Sequence, residues 1–125
     1  MARKKSTGLT DAELRLMEVL WDKGSASVGE VVDALPKRTP LAYSTVLTTL
    51  RILEDKGYLR HVKEGRAFIY HPAVGRDEAR ENAVTHLVRR FFDGSHGSLA
   101  LNLFENKRID AAELKHLRKK IKEAK

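Results

Sequence analysis

Residues 43–70, YSTVLTTLRILEDKGYLRHVKEGRAFIY, change their repeat partway along, and that change decides the fold. From about Tyr43 to Lys56, the residues Val46, Thr49, Leu50 and Leu53 recur on one face of a helix. Ser44, Thr48, Arg51 and Asp55 fall on nearly the opposite face, and Gly57 is a natural stop. The period then becomes two. Tyr58–Lys63 alternates loosely, Glu64-Gly65 makes a turn, and Ala67-Phe68-Ile69-Tyr70 returns as a strand rich in β-formers. Arg66 stands just past the tip of this hairpin, and Pro72 ends it.

Upstream lie two shorter helical signals. Thr10 and Glu13 have the spacing of a capping box, with Leu9 and Leu14 placed as a hydrophobic staple. Leu14, Met17, Leu20 and Trp21 follow at helical spacing until Gly24. Ser27 and Glu30 repeat the capping spacing ahead of Val31, Val32 and Leu35, and Pro36 closes that helix. Lys37-Arg38-Thr39-Pro40 reads as a loop.

Downstream the chain is helical again. One helix starts at Asp77-Glu78 and carries Val84, Leu87, Val88 and Phe91 up to Gly94. A short apolar segment, Ser98–Phe104, comes next. The last helix is capped by Asp110 with Glu113, and its stripe is Leu114, Leu117, Ile121 and Ala124. Three helices, a hairpin and three more helices define the expected fold class, mainly α with a small β-hairpin. Residues 1–75 form a winged helix-turn-helix DNA-binding domain, and residues 76–125 a helical dimerisation domain.

Composition narrows the function. The chain has 125 residues, 42% of them hydrophobic, and no apolar run long enough to span a membrane. Its basic start, Met1–Gly8, has no apolar stretch behind it, so no secretory signal is expected. Cysteine is absent, which removes disulfides, thiolate metal sites and cysteine nucleophiles, and suits a cytoplasmic protein. A net charge of +7 makes a polyanion, above all nucleic acid, the first partner to consider. The excess is spread: residues 1–75 carry 12 Lys+Arg and 9 Asp+Glu, residues 76–125 carry 12 and 8. Only Arg3-Lys4-Lys5 and Lys119-Lys120-Ile121-Lys122 are dense runs, either solvated ends or phosphate contacts.

The expected chemistry is recognition, with no catalysis. The helix bearing Ser44, Thr48 and Arg51 presents short hydroxyls that permit close approach and one guanidinium able to fork onto guanine. Tyr43 and Thr45, at its start, lie where a helix also offers free N–H groups to a phosphate. Lys63 and Arg66 flank the hairpin turn, as an ordinary charged tip or as backbone contacts. His61, His71, His86, His96 and His116 include no pair at metal-ligand spacing, so no metal is expected. No phosphate-binding glycine loop, nucleophile elbow or other catalytic motif occurs, and neither an enzyme nor a cofactor is expected.

The final fifty residues hold many apolar groups for their number. Leu87, Phe91, Leu101, Leu103, Phe104, Leu114, Leu117 and Ile121 are expected to be buried against a second copy, in a homodimer that duplicates the reading helices for a palindromic double-stranded DNA operator. The other placement for them is back against the chain's own first domain. A module that binds protein through the winged helix is the alternative function.

Taken in order, several stretches resemble the penicillinase-repressor (BlaI/MecI-type) family of bacterial transcriptional repressors. They are Leu9-Thr10-Asp11-Ala12-Glu13 with Met17 and Trp21, Tyr43–Leu50, Lys56-Gly57-Tyr58-Leu59, Glu64–Tyr70, Phe91–Ser95 and Leu101–Asn106. The resemblance implies a homodimer bound to an inverted repeat in a promoter, with Thr45 and Thr48 on the reading helix and Arg66 on the wing. One position departs. The family usually carries Arg directly before the Leu corresponding to Leu53, whereas here that place is Ile52 and the Arg is Arg51. The shift turns the guanidinium by about 100° around the helix, so base preference does not carry over. Resistance-type members are inactivated when a membrane sensor protease signals cleavage of an Asn-Phe bond in the dimerisation part. The matching bond here is Asn102-Leu103. The copper-sensing branch uses C-terminal cysteines, which this chain lacks.

Overall fold

A computed structural model describes residues 8–124. The basic arm Arg3-Lys4-Lys5 lies outside the described residues. In chain order the elements are α1 (Asp11–Lys23), β1 (Ala26–Ser27), α2 (Val28–Ala34), α3 (Tyr43–Asp55), β2 (Leu59–Glu64), β3 (Ala67–Pro72), α4 (Arg76–Phe91), α5 (His96–Glu105) and α6 (Ala111–Glu123). The chain divides into two compact units, one ending at Val84 and one beginning at Thr85. The sequence pattern places its line nearer Pro72–Arg76. The difference arises because the first turns of α4 join the core of the first unit through Ala79.

Three capping boxes form as their spacing requires, at Thr10–Glu13, Ser27–Glu30 and Asp110–Glu113. Each satisfies two otherwise orphaned N–H groups and so fixes where its helix starts. The core of the first unit draws Leu16, Met17 and Leu20 from α1, Val31 from α2, Val46, Leu50 and Leu53 from α3, with Tyr58 from the bend ahead of β2 and Tyr70 from β3. The face of α1 is rotated from the stripe expected for it. Leu16 is fully buried, while Leu14 is 40% exposed on a shallow hollow it shares with Leu9 and Trp21.

Glu13 explains part of that rotation. It is buried, and its carboxylate accepts a hydrogen bond from Lys56 Nζ at 2.7 Å as well as one from the Thr10 N–H. Burial pushes the Glu13 carboxyl up, but the bonds from Lys56 and Thr10 outweigh it and hold the group below the usual carboxylate value. Lys56 thus lies just beyond α3, which ends at Asp55, and ties that end to the first turn of α1.

The hairpin differs from its expected form at the tip. β2 and β3 pair as far as Glu64 with Ala67, which leaves Gly65-Arg66 as the two-residue loop and places Glu64 in the strand. Gly65 has φ +61°, a left-handed value that suits glycine at the first position of a II′ turn. Strand β3 also runs through His71 to Pro72. A proline is tolerated there because β1 pairs only with Ile69 and Tyr70, so β3 is flanked on one side at that point. The sheet order is β1-β3-β2. Strand β1, two residues long, shows no periodicity in sequence and was not expected.

The second unit is assembled from the later turns of α4, with α5 and α6. The apolar segment Ser98–Phe104 is the body of α5, capped by Ser95, whose hydroxyl accepts from the Ser98 N–H. Among the described residues of this unit, Val88 is the one buried hydrophobic side chain.

Candidate nucleic-acid interface

Helix α3 owes its orientation to a simple offset. Val46, Leu50 and Leu53 are fully buried, and two positions before each stand Ser44, Thr48 and Arg51. Two residues are about 200° around a helix, so burying one set projects the other into water. Ser44, Thr45, Thr48 and Arg51 are all exposed, and Tyr43 is 57% exposed. Thr49 is spent locally: its hydroxyl donates to the Thr45 carbonyl at 2.8 Å.

The start of α3 is unlike the boxed helix starts. Its N-cap, Ala42, has no side chain able to accept from the first turn. The N–H groups around Ser44 and Thr45 therefore face solvent or an incoming acceptor, and the helix dipole there favours an anion.

The wing completes one side of a cleft of about 400 Å³. Tyr43, Leu47 and Arg51 contribute from α3, Arg66 and Phe68 from the wing, and Ser27 and Gly29 from the start of α2. Tyr43, Arg51 and Arg66 are thus brought together. Ser44, Thr45 and Thr48 lie on the exposed face of α3 outside the cleft, and Lys63 projects from β2 opposite Phe68. Neither Lys63 nor Arg66 has a hydrogen bond or ion pair among the described residues, so both charges remain available.

A second link between α3 and the wing escaped the sequence reading. His61 Nδ1 donates to the Glu54 carboxylate, at 2.7 Å to one oxygen and 2.8 Å to the other. Its ring lies 4.8 Å from that of Phe68 and 5.6 Å from that of Tyr70. His61 faces Tyr70 in the strand register, which brings it under the last turn of α3. Ser27 was read only as a cap. Its pairing with Ile69 stitches the start of α2 to the wing, a contact that a two-residue strand gives no periodic signal for.

Among the described residues, no group of three His, Asp or Glu side chains is placed to hold a metal ion. No helix among them is long and apolar enough to cross a membrane.

Helices α1–α3 followed by the β2–β3 wing, with an exposed polar face on α3, define a winged helix-turn-helix protein of the DNA-binding class. Residues 9–123 match the family model described as penicillinase repressor. The chain is 35% identical over 114 residues to the penicillinase repressor of Bacillus licheniformis, covering 91% of this chain and 89% of that one. It is similar to the solution structure of the DNA-binding domain of the repressor BlaI, with 39% identity, a TM-score of 0.53, and coverage of 60% and 92%. It also resembles the B. licheniformis BlaI monomeric form in complex with the blaP half-operator, with 37% identity, a TM-score of 0.50, and coverage of 61% and 92%. The chain belongs to the penicillinase-repressor family, a family of transcriptional repressors.

Proposed function

We propose that this chain represses transcription as a homodimer that lays two copies of α3 into successive major grooves of a palindromic promoter operator. The observation that carries the reading is the offset within α3, which buries Val46, Leu50 and Leu53 and leaves Ser44, Thr48 and Arg51 facing out beside the wing cation Arg66. Ser44, Thr48 and Arg51 read base edges, whereas Tyr43, Thr45, Lys63 and Arg66 hold the sugar-phosphate backbone. A solved relative bound to a half-operator supports the same use of the fold. Acting on a bacterial promoter places the protein in the cytoplasm.

Dimerisation rests on the second unit. Leu87, Phe91, Leu101, Leu103, Phe104, Leu117 and Ile121 are between 37% and 67% exposed, and Leu114 is partly so. Forty-odd residues with one buried hydrophobic side chain do not hold themselves together, and a symmetry-related copy supplies the missing cover. We place the domain division near residue 75 for DNA contact, with residues 76–125 serving assembly.

Induction would follow cleavage at Asn102-Leu103, under the control of a membrane sensor protease. That bond lies inside α5, where the Asn102 carbonyl accepts from the Asn106 N–H at 3.1 Å and from its side-chain amide at 2.8 Å. The last turns of α5 must open before a protease can reach it, and the cut would detach Leu114, Leu117 and Ile121 from the DNA-binding unit. An immunoblot during induction tests this: derepression with the chain still full length removes the cleavage step.

Footprinting on promoter DNA next to the protein's own gene tests the main reading. A protected inverted repeat with half-sites one helical turn apart, or a multiple of it, is expected. A chain that shows no salt-sensitive duplex affinity yet retains a protein in pull-downs would replace it with the interaction-module reading.

A further inference from the structure

Beyond the winged helix, the last helix carries a charged surface that neither base reading nor dimerisation uses. Lys115, Arg118, Lys119 and Lys122 fall within an arc of about 100° on α6. All four are exposed, and none forms an ion pair among the described residues. With Ala112 and His116 they line a shallow hollow of about 600 Å³, open because the residue one turn earlier is only an alanine. The two carboxylates of the helix stay off the arc. Glu113 is turned back to the Asp110 N–H at 3.1 Å, and Glu123 lies about 40° beyond Lys119, past the edge of the arc. Of the apolar stripe, Leu117 lies about 100° or more from every one of the four, whereas Leu114 and Ile121 come within about 40–60° of Arg118, so covering the stripe leaves Lys115, Lys119 and Lys122 in water with Arg118 at its border.

We propose that this face of α6 is a second phosphate-binding surface, whose ligand is the backbone of duplex DNA gripped without regard to sequence. The inference rests on the duplex binding proposed above and adds to it a contact outside the winged helix. Four unpaired cations spread over about 10 Å of helix match a polyanion better than any single small anion. A lipid surface fits less well. A helix that lies in a membrane interface buries its apolar stripe together with aromatic anchors, and α6 contains no Phe, Tyr or Trp. Lys119–Lys122 fit either a solvated end or a phosphate contact by sequence alone, and the gathering of four exposed cations within one arc, with no ion pair to any of them among the described residues, favours the contact.

The test uses the full chain and a variant with Lys115→Gln, Arg118→Gln, Lys119→Gln and Lys122→Gln, glutamine being nearly as good a helix former. Affinity for a duplex lacking the operator, and for the footprinted operator, is measured by fluorescence anisotropy across a salt series. The slope of log K against log salt should be flatter in the variant by about 1.8–3.6, the loss of two to four phosphate contacts, and by the same amount on both duplexes. A companion variant with Lys115→Arg, Lys119→Arg and Lys122→Arg should keep the parent slope, while circular dichroism and sedimentation should be unchanged in both. A parent-like slope in the glutamine variant overturns the proposal and leaves the winged-helix reading standing. So does a variant that loses only its affinity for phosphatidylserine vesicles, which would assign the face to lipid. A parent chain that binds no duplex at low salt fells both readings together.

Discussion

Up to Val84 the chain buries a continuous hydrophobic cluster in which every element from α1 to the start of α4 takes part. From Thr85 onward the described residues bury Val88 and little else, while Phe91, Leu101 and Ile121 are each more than 60% exposed. Both units are net basic, +2 up to Val84 and +5 from Thr85, so the sign of their charge does not separate them. What separates them is where their apolar surface goes. In the first unit it closes on itself and leaves a polar face to spend on recognition. In the second it stays open, which makes the unit's stability a property of assembly rather than of one chain.

The largest expected effect lies in the closed core. Leu50→Ala should cost about 2–5 kcal/mol and shift the urea midpoint of the first unit, whatever the protein concentration. Ile121→Ala, an equal truncation at a 64% exposed site, should leave that midpoint alone and weaken self-association in sedimentation instead. Equal effects of the two substitutions on the first unit would erase the contrast between the halves.

Next in size is the Glu13–Lys56 pair. Glu13→Ala removes a capping partner and strands a partly buried ammonium, at about 2–3 kcal/mol in chemical denaturation. The sign of the pH dependence follows from the lowered carboxyl. Its contribution is complete above the ordinary carboxylate value and is lost as pH falls through the folded one. Stability of the parent should therefore fall in acid more steeply than that of Glu13→Gln.

Recognition comes third. Thr48→Ala and Arg51→Ala should alter which bases are preferred, by about 1–3 kcal/mol at the affected position, in a binding-site selection experiment. Arg66→Ala should weaken all duplexes alike and flatten the salt slope by about 1. Because Arg51 and Arg66 line one cleft, their double variant is the sharper measurement. Additivity would mean that they hold separate groups, and a shortfall would mean that they share one phosphate.

The smallest effect separates the halves by concentration. Thermal unfolding of the second unit should shift upward with protein concentration, by about 1.4 kcal/mol for each tenfold, and that of the first should not move.

Local signals survive unaided in the amino-acid order. Side chain and N–H three residues apart make Thr10–Glu13, Ser27–Glu30 and Asp110–Glu113 into helix starts, and the change of period after Gly57 announces a wing behind a helix. The exposed face of α3 was legible for the same reason, because hydrophobic positions two residues on dictate which side is left out. Contacts between distant segments were not. The pairing of Ser27 with Ile69, the His61–Glu54 link, the burial of Leu16 in place of Leu14, and the meeting of Arg51 with Arg66 each depend on how elements pack. Periodicity reports a residue's neighbours along one element. Which face turns inward, and which charges meet across a gap, is decided only when separate elements compete for the same core.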